Sequence, residues 1–237
     1  PRSTPLYSSA ASDVYKRQKP MKSVIVIPAR FKSSRFPGKP LVKLLGKPMI
    51  LWVAELSAKA VGLENVYIAT DDERISKVVT NAGFNAIITS ADCATGTDRV
   101  AETISKIKAD IYINVQGDEP LVNPKDIIKI IKEKELHYNE IINGYCPIDN
   151  YEDPNNINIP KVLFTEDKSL VYISRQALPG FKDKKNAPSR YYKQVCVYAF
   201  SSDELKSWGI FREDKIPIVN IAKLAPLAQK IIDRSGW

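Results

Sequence analysis

The chain has 237 residues, ample for one α/β domain with a buried core, and its 44% hydrophobic and 26% charged content is that of an ordinary globular protein. No apolar run is long enough to span a bilayer, and a sole histidine, His137, argues against a histidine-based zinc site and against a Ser-His-Asp triad. The cysteines Cys93, Cys146 and Cys196 show no paired spacing, which fits a reducing cytoplasm. The net charge of +8 invites a nucleic-acid partner, but the basic residues are spread thinly and no nucleic-acid-binding module is visible.

Part of that charge lies in residues 1–20, where Arg2, Lys16, Arg17 and Lys19 against Asp13 leave +3. This segment lacks the hydrophobic stretch of a signal peptide and precedes Met21, so it reads as extraneous, disordered sequence of adapter or vector type. Val24 to Ile27 follow, a β-branched run suited to a strand buried on both faces of a parallel sheet. The strand opens into a basic loop with Arg30, Lys32, Arg35 and Lys39 beside Ser33 and Ser34, punctuated by Pro37 and Gly38. Met49, Ile50, Val53, Leu56 and Ala60 then recur at helical spacing.

Val66–Ala69 is a second strand ending in Thr70-Asp71-Asp72, with Asp71 or Asp72 placed to cap a helix whose apolar face is Ile75, Val78 and Val79. Asn85–Ile88 is a third strand, leading through SADCATGTDR to a helix marked by Val100, Ile104 and Ile107 and capped by Thr97 or Asp98. Asp110–Val115 is a fourth, closed by Gln116-Gly117-Asp118-Glu119-Pro120, and Pro124 starts a helix to about Lys134. Strands alternating with helices predict a doubly wound, mainly parallel α/β sheet with right-handed crossovers. From about Ile141 the pattern changes to a loop, Pro147–Pro160, and strands at Lys161–Thr165, Leu170–Ser174 and Gln194–Phe200. These predict a small mixed β insertion, about 141–200, that builds an acceptor pocket or a dimer contact.

In an open α/β sheet the loops at the carboxyl ends of the strands bind ligands, and three polar loops converge there. A basic loop without an acid suits a polyphosphate. A strand-end carboxylate facing it, Asp118, suits Mg²⁺ on a nucleotide triphosphate, because magnesium takes a few carboxylates with phosphate oxygens and water. Gly96 leaves its backbone open to a base, and Arg99 has the reach to touch phosphate or a base edge. The chemistry is attack of an acceptor oxygen on an activated phosphorus, with cations stabilising the departing pyrophosphate and no protein nucleophile.

At these loops the chain resembles the CMP-Kdo synthetases, the 3-deoxy-manno-octulosonate cytidylyltransferase family. IPARFKSSRFPGKPL, ATDDERI, TGTDRVAE, INVQGDEP and YISR occur in the family's order, and the resemblance covers about Met21 to Trp208. It implies a Rossmann-like nucleotidyltransferase fold and transfer of CMP from CTP to the anomeric hydroxyl of an eight-carbon ulosonic acid, Kdo. The product would serve lipopolysaccharide synthesis, in a cytoplasmic Mg²⁺-dependent homodimer with neither nucleic acid nor membrane insertion. Carried over by position, Arg30, Ser33 and Lys39 hold the phosphates, with Pro28 and Ala29 near the base. Gly96 and Arg99 help read cytosine and ribose, and Asp118 binds the metal. Arg30, Lys39 and Asp118 form the catalytic set. Gln116, Arg175, Gln194 and Tyr198 contact the sugar, with Arg175 pairing with its carboxylate.

There are two departures from the family pattern. Gln194 stands where many members carry histidine, which makes a related acceptor, such as an amino-substituted ulosonic acid, the alternative. Residues 209–237 lack the family's Val-Asp-Thr-Pro motif, whose Asp completes the metal site, and neither Asp214 nor Asp233 has matching neighbours. That segment reads as an aberrant tail, and the further alternative is a truncated CTP-binding protein without turnover.

Overall fold

Strand β1, Ser23–Ala29, lies at the centre of the sheet, and Val24, Ile25, Val26 and Ile27 are all fully buried. The structure is a computed structural model that describes residues 20–32, 36–213 and 229–233. The expectations for the first 19 residues, for Ser33, Ser34 and Arg35, and for most of the tail lie outside the described residues.

The alternation of side chains along β1 explains the layers. Ile25 and Ile27 enter one core with Ile50 and Val53 of helix α1 (Met49–Val61), Ile75 and Val79 of α2 (Glu73–Asn81), and Ile127 and Ile130 of α4 (Pro124–Leu136). Val24 and Val26 enter the opposite core with Val100 of α3 (Gly96–Thr103) and Leu205 of α5 (Ser202–Glu213). Helices therefore cover both faces, as a doubly wound sheet requires.

Two short strands, β2 (Lys43–Leu44) and β3 (Lys47–Pro48), form a separate hairpin. In the main sheet β1 pairs in parallel with β4 (Val66–Thr70) on one side and with β6 (Ile111–Val115) on the other. Strand β5 (Asn85–Ile88) extends the sheet beyond β4. Strands β7 (Ile141–Pro147), β8 (Lys161–Phe164), β9 (Leu170–Ser174), β10 (Tyr192–Ser201) and β11 (Gln229–Asp233) follow. The order is β11-β7-β10-β6-β1-β4-β5, with the β8–β9 hairpin joined to β10.

This differs in one respect from the organisation expected beyond Ile141. Strands β7 and β10 belong to the main sheet, with β10 antiparallel to both β6 and β7. Val197, Ala199 and Phe200 are buried, which a strand flanked on both sides and covered on both faces demands. The β8–β9 hairpin and the surrounding loops make up the insertion proper. A bulge between Val195 and Tyr198 shifts the β10–β7 register.

An internal ion pair locks the far end of this arrangement. Lys134, fully buried at the end of α4, donates from Nζ to the carbonyls of Tyr138 and Glu140 at 2.6 and 2.7 Å and to Glu204 Oε2 at 2.7 Å. Burial pulls its pKa below the usual lysine value, and Glu204 works against that shift.

Candidate nucleotide site

The loops after β1, β5 and β6 surround a cavity of about 510 Å³ at the carboxyl edge of the parallel strands. Pro28, Ala29, Arg30, Lys39, Gly96, Arg99, Gln116 and Asp118 all line it, so the structure brings together most of the residues expected to hold a nucleotide. Ser33 lies outside the described residues.

Each side of the cavity is set by local chemistry. The β1 loop closes where the Gly38 amide donates to the Phe31 carbonyl at 2.9 Å. Gly38 has φ 72°, a conformation that favours glycine, and a Cβ there would also crowd the Phe31 ring at 3.1 Å. Arg74 stacks over that ring with its Cζ 3.4 Å from the centroid, while its Nε and Nη2 fork onto Asp72 at 2.9 and 2.7 Å. Asp72 is also the N-cap of α2, and its hydrogen bond from the Arg74 side chain holds its carboxyl below the usual range. Gly117, after β6, comes so close to β1 that a Cβ would meet the Pro28 carbonyl oxygen at 3.0 Å.

The third wall is the start of α3. Thr95 is the N-cap, neither Thr97 nor Asp98: Asp98 donates its amide to Thr95 Oγ1 at 3.2 Å, and Thr95 donates its own to Asp98 Oδ2 at 2.6 Å. This reciprocal box aims the amino end of α3, with Gly96 at its first turn, into the cavity. A Cβ on Gly96 would lie 3.1 Å from Pro28 Cγ and 3.4 Å from Gln116 Oε1. Gln116 is itself oriented, donating from Nε2 to Asn114 Oδ1 at 3.0 Å.

Arg99 lines the cavity, and its guanidinium is also engaged within the wall. It is 2% exposed, its Nη2 pairs with Asp71 Oδ2 at 3.4 Å, and its Nη1 donates to Thr89 Oγ1 and, at 3.2 Å, to the Ser90 carbonyl. Its guanidinium braces the wall, engaged by partners behind it. Cys93, which sequence reading did not place in the site, lines the same wall and donates its S–H to Glu102 Oε2 at 3.3 Å. Burial and that carboxylate push its thiol up to about 11. The other lining residues missed at the sequence level include Phe36, Pro40, Met49 and Thr95. Only Thr95 carries a local signal, a threonine with an acid three residues on.

Lys39 and Asp118 face each other across the cavity, with Lys39 Nζ 2.5 Å from Asp118 Oδ2. Among the described residues no group of three or more His, Cys, Asp or Glu side chains is placed to hold a metal, and Asp118 is the one acid in this lining.

The expected sugar contacts are divided. Gln116 lies in the first cavity, whereas Gln194 lines a second one of about 650 Å³ with Glu119, Asp126 and Lys193. Gln194 Nε2 donates to Asn143 Oδ1 at 3.0 Å and to Tyr198 Oη at 2.7 Å, and burial holds the Tyr198 phenol protonated far above the ordinary tyrosine range. Arg175 lines neither cavity and donates from Nη1 to the Ile157 and Asn158 carbonyls at 3.2 and 3.1 Å, pinning the loop before β8. Lys193 pairs with Glu152 at 2.5 Å and holds the same loop farther up.

A doubly wound sheet with a cationic cavity and a single carboxylate at its carboxyl edge defines an α/β nucleotidyltransferase. The chain belongs to the cytidylyltransferase family, whose model matches residues 24–236, beyond the Trp208 at which the motif-by-motif resemblance ends. It is 39% identical over 199 residues to a 3-deoxy-manno-octulosonate cytidylyltransferase of Syntrophobacter fumaroxidans, covering 80% of this chain and 77% of that protein. It is 38% identical over 217 residues to an 8-amino-3,8-dideoxy-manno-octulosonate cytidylyltransferase of Shewanella frigidimarina, covering 88% and 84%. Its fold matches a solved CMP:2-keto-3-deoxy-manno-octonic acid synthetase complexed with CTP at TM-score 0.78 and 33% identity, over 90% of this chain and 89% of that one.

Proposed function

We propose that this enzyme transfers CMP from CTP to the anomeric hydroxyl of 3-deoxy-manno-octulosonate, forming CMP-Kdo and pyrophosphate for lipopolysaccharide synthesis. The observation that carries the reading is the meeting of Arg30, Lys39 and Asp118 with the amino end of α3 in one cavity. Arg30 and Lys39 hold the triphosphate, and the helix start adds backbone N–H groups and a favourable dipole for anionic groups. Pro28, Ala29 and Gly96 border the space for the base, and Arg99 braces that wall through Asp71.

Asp118 suits Mg²⁺, which is satisfied by one or two carboxylates when phosphate oxygens and water complete its shell. When bound there, the ion would neutralise charge on the phosphates. The acceptor occupies the second cavity, beside Gln194. Its anomeric oxygen forms the new bond to the α-phosphorus, the bond from that phosphorus to the β-phosphate oxygen breaks, pyrophosphate leaves, and the hydroxyl proton passes to solvent. Arg30 and Lys39 stabilise the charge that develops on the leaving group. The same reading carries a cytoplasmic homodimer, and exposed apolar residues on both faces of the β8–β9 hairpin, Leu163 and Tyr172 on one and Val171 and Ile173 on the other, support the dimer. Among the described residues no helix is long and apolar enough to cross a membrane.

A second acceptor, the 8-amino analogue, is compatible with the second cavity, whose lining has the Glu119 and Asp126 carboxylates beside Lys193. The test is pyrophosphate release with CTP, Mg²⁺ and Kdo, each omitted in turn, repeated with the 8-amino acceptor. Release requiring all three components supports the reading, and a higher kcat/KM for the amino sugar selects the second acceptor. CTP binding without release from either acceptor would make the chain a nucleotide-binding protein without turnover.

A further inference from the structure

The contact between Lys39 and Asp118 sets an order on the binding of metal and nucleotide. Asp118 is the one acid among the described residues lining the first cavity, and its Oδ2 accepts from Lys39 Nζ at 2.5 Å. Arg30 adds a second cation to the same wall, while the charge of Arg99 is matched from behind by Asp71. Without nucleotide, the one carboxylate of the described lining is therefore held by an ammonium group, in a lining where the described cations outnumber it. A triphosphate inverts that balance, because it offers Lys39 several oxygens and supplies most of the shell that magnesium needs.

We propose that Lys39 switches between Asp118 and the nucleotide phosphates, so that the divalent cation enters this site with CTP and not before it. The proposal rests on the CTP reading above. It follows from charge placement: a unit positive charge about 4 Å from a dication is strongly repulsive even at the dielectric of water. Both side chains are close to half exposed, Lys39 at 46% and Asp118 at 47%, so the pair can part without opening the core.

The experiment titrates the full chain with Mn²⁺ in the absence of nucleotide and follows the free-ion signal by electron paramagnetic resonance. Lys39→Met should bind Mn²⁺ at least about tenfold more tightly than the unmodified chain, the size expected from removing one adjacent charge. Lys39→Arg, which keeps the charge, should not tighten binding. The double variant Lys39→Met with Asp118→Asn should lose the gain, and circular dichroism shows that each variant is folded. Equal Mn²⁺ affinity for the unmodified chain and Lys39→Met, or a gain that survives loss of Asp118, would overturn the switch. Calorimetry with CTP in chelator and in Mg²⁺ judges the underlying reading separately. Binding in Mg²⁺, with or without binding in chelator, supports it, whereas binding in neither removes the nucleotide from the proposal whatever Mn²⁺ does.

Discussion

Replacing Gly96 by alanine would put one methyl group on the floor of the first cavity and separate nucleotide binding from stability. The new Cβ would stand 3.1 Å from Pro28 Cγ, 3.4 Å from Gln116 Oε1 and 3.5 Å from Gln116 Nε2. Those neighbours must give by a few tenths of an ångström, because carbon contacts are optimal at about 3.5–4.0 Å. Against that crowding, alanine in a helix gains up to about 1 kcal/mol over glycine, and Gly96 opens α3. The two effects oppose each other, so the unliganded stability should change by no more than about 1 kcal/mol.

Binding has no such compensation. If the base lies against Pro28 and Gly96, the methyl group occupies its space, and overpacking a close-fitting contact costs about 1–3 kcal/mol. At about 1.4 kcal/mol per factor of ten, that weakens CTP binding by about 5- to 150-fold. Calorimetry with CTP and Mg²⁺, beside thermal unfolding without ligand, reads both quantities. An unchanged Kd in a normally folded variant would refute the reasoning and move the nucleotide away from the start of α3.

Two further expectations concern groups outside the reacting centre. Glu204→Ala leaves the buried Lys134 ammonium with two carbonyls and without its paired carboxylate, so it should cost about 3–5 kcal/mol in urea unfolding; a loss below about 1 kcal/mol would refute it. Because burial and Glu102 hold Cys93 as a thiol up to about 11, against an ordinary value of 9.0, the folded chain retains a proton there that the unfolded chain loses. Its contribution is complete below pH 9 and is lost as the pH rises towards 11, so under reducing conditions Cys93→Ala should show a shallower alkaline fall in stability; identical slopes would contradict this.

How much of this was legible in the sequence depends on whether a residue's role is fixed by its neighbours in the chain or by partners far along it. The buried centre of the sheet was legible, since a run such as Val24 to Ile27 has few other uses, and so were the loops that follow strands. The cap at Thr95 was locally encoded as well, with Asp98 three residues on, although the neighbouring Thr97 and Asp98 look equally suitable when only one side of the box is considered. Arg99 was not legible. An arginine aimed at a ligand and one buried against Asp71 have the same sequence surroundings, and Asp71 lies 28 positions away on another loop. The contacts of Arg175 are hidden for the same reason, because its acceptors are backbone carbonyls with no side-chain signature. Strand β10 was recognisable as a strand, but nothing in its alternation names β6 and β7 as its neighbours.

That placement of β10 bears on the chemistry. Strand β6 runs between β1 and β10, so Asp118 at its end has the basic β1 loop on one side and the Gln194 end of β10 on the other. The consecutive residues Asp118 and Glu119 line different cavities, which therefore adjoin at this loop. Phosphoryl transfer requires the attacking and leaving oxygens to lie roughly in line across the phosphorus. On the proposed reading, a triphosphate held by Arg30 and Lys39 would direct its leaving group towards the β1 side, and the acceptor would approach from the β10 side, where the second cavity lies. On that reading, the antiparallel strand beside β6 would supply what the parallel half of the sheet cannot, a wall for the acceptor opposite the basic β1 loop.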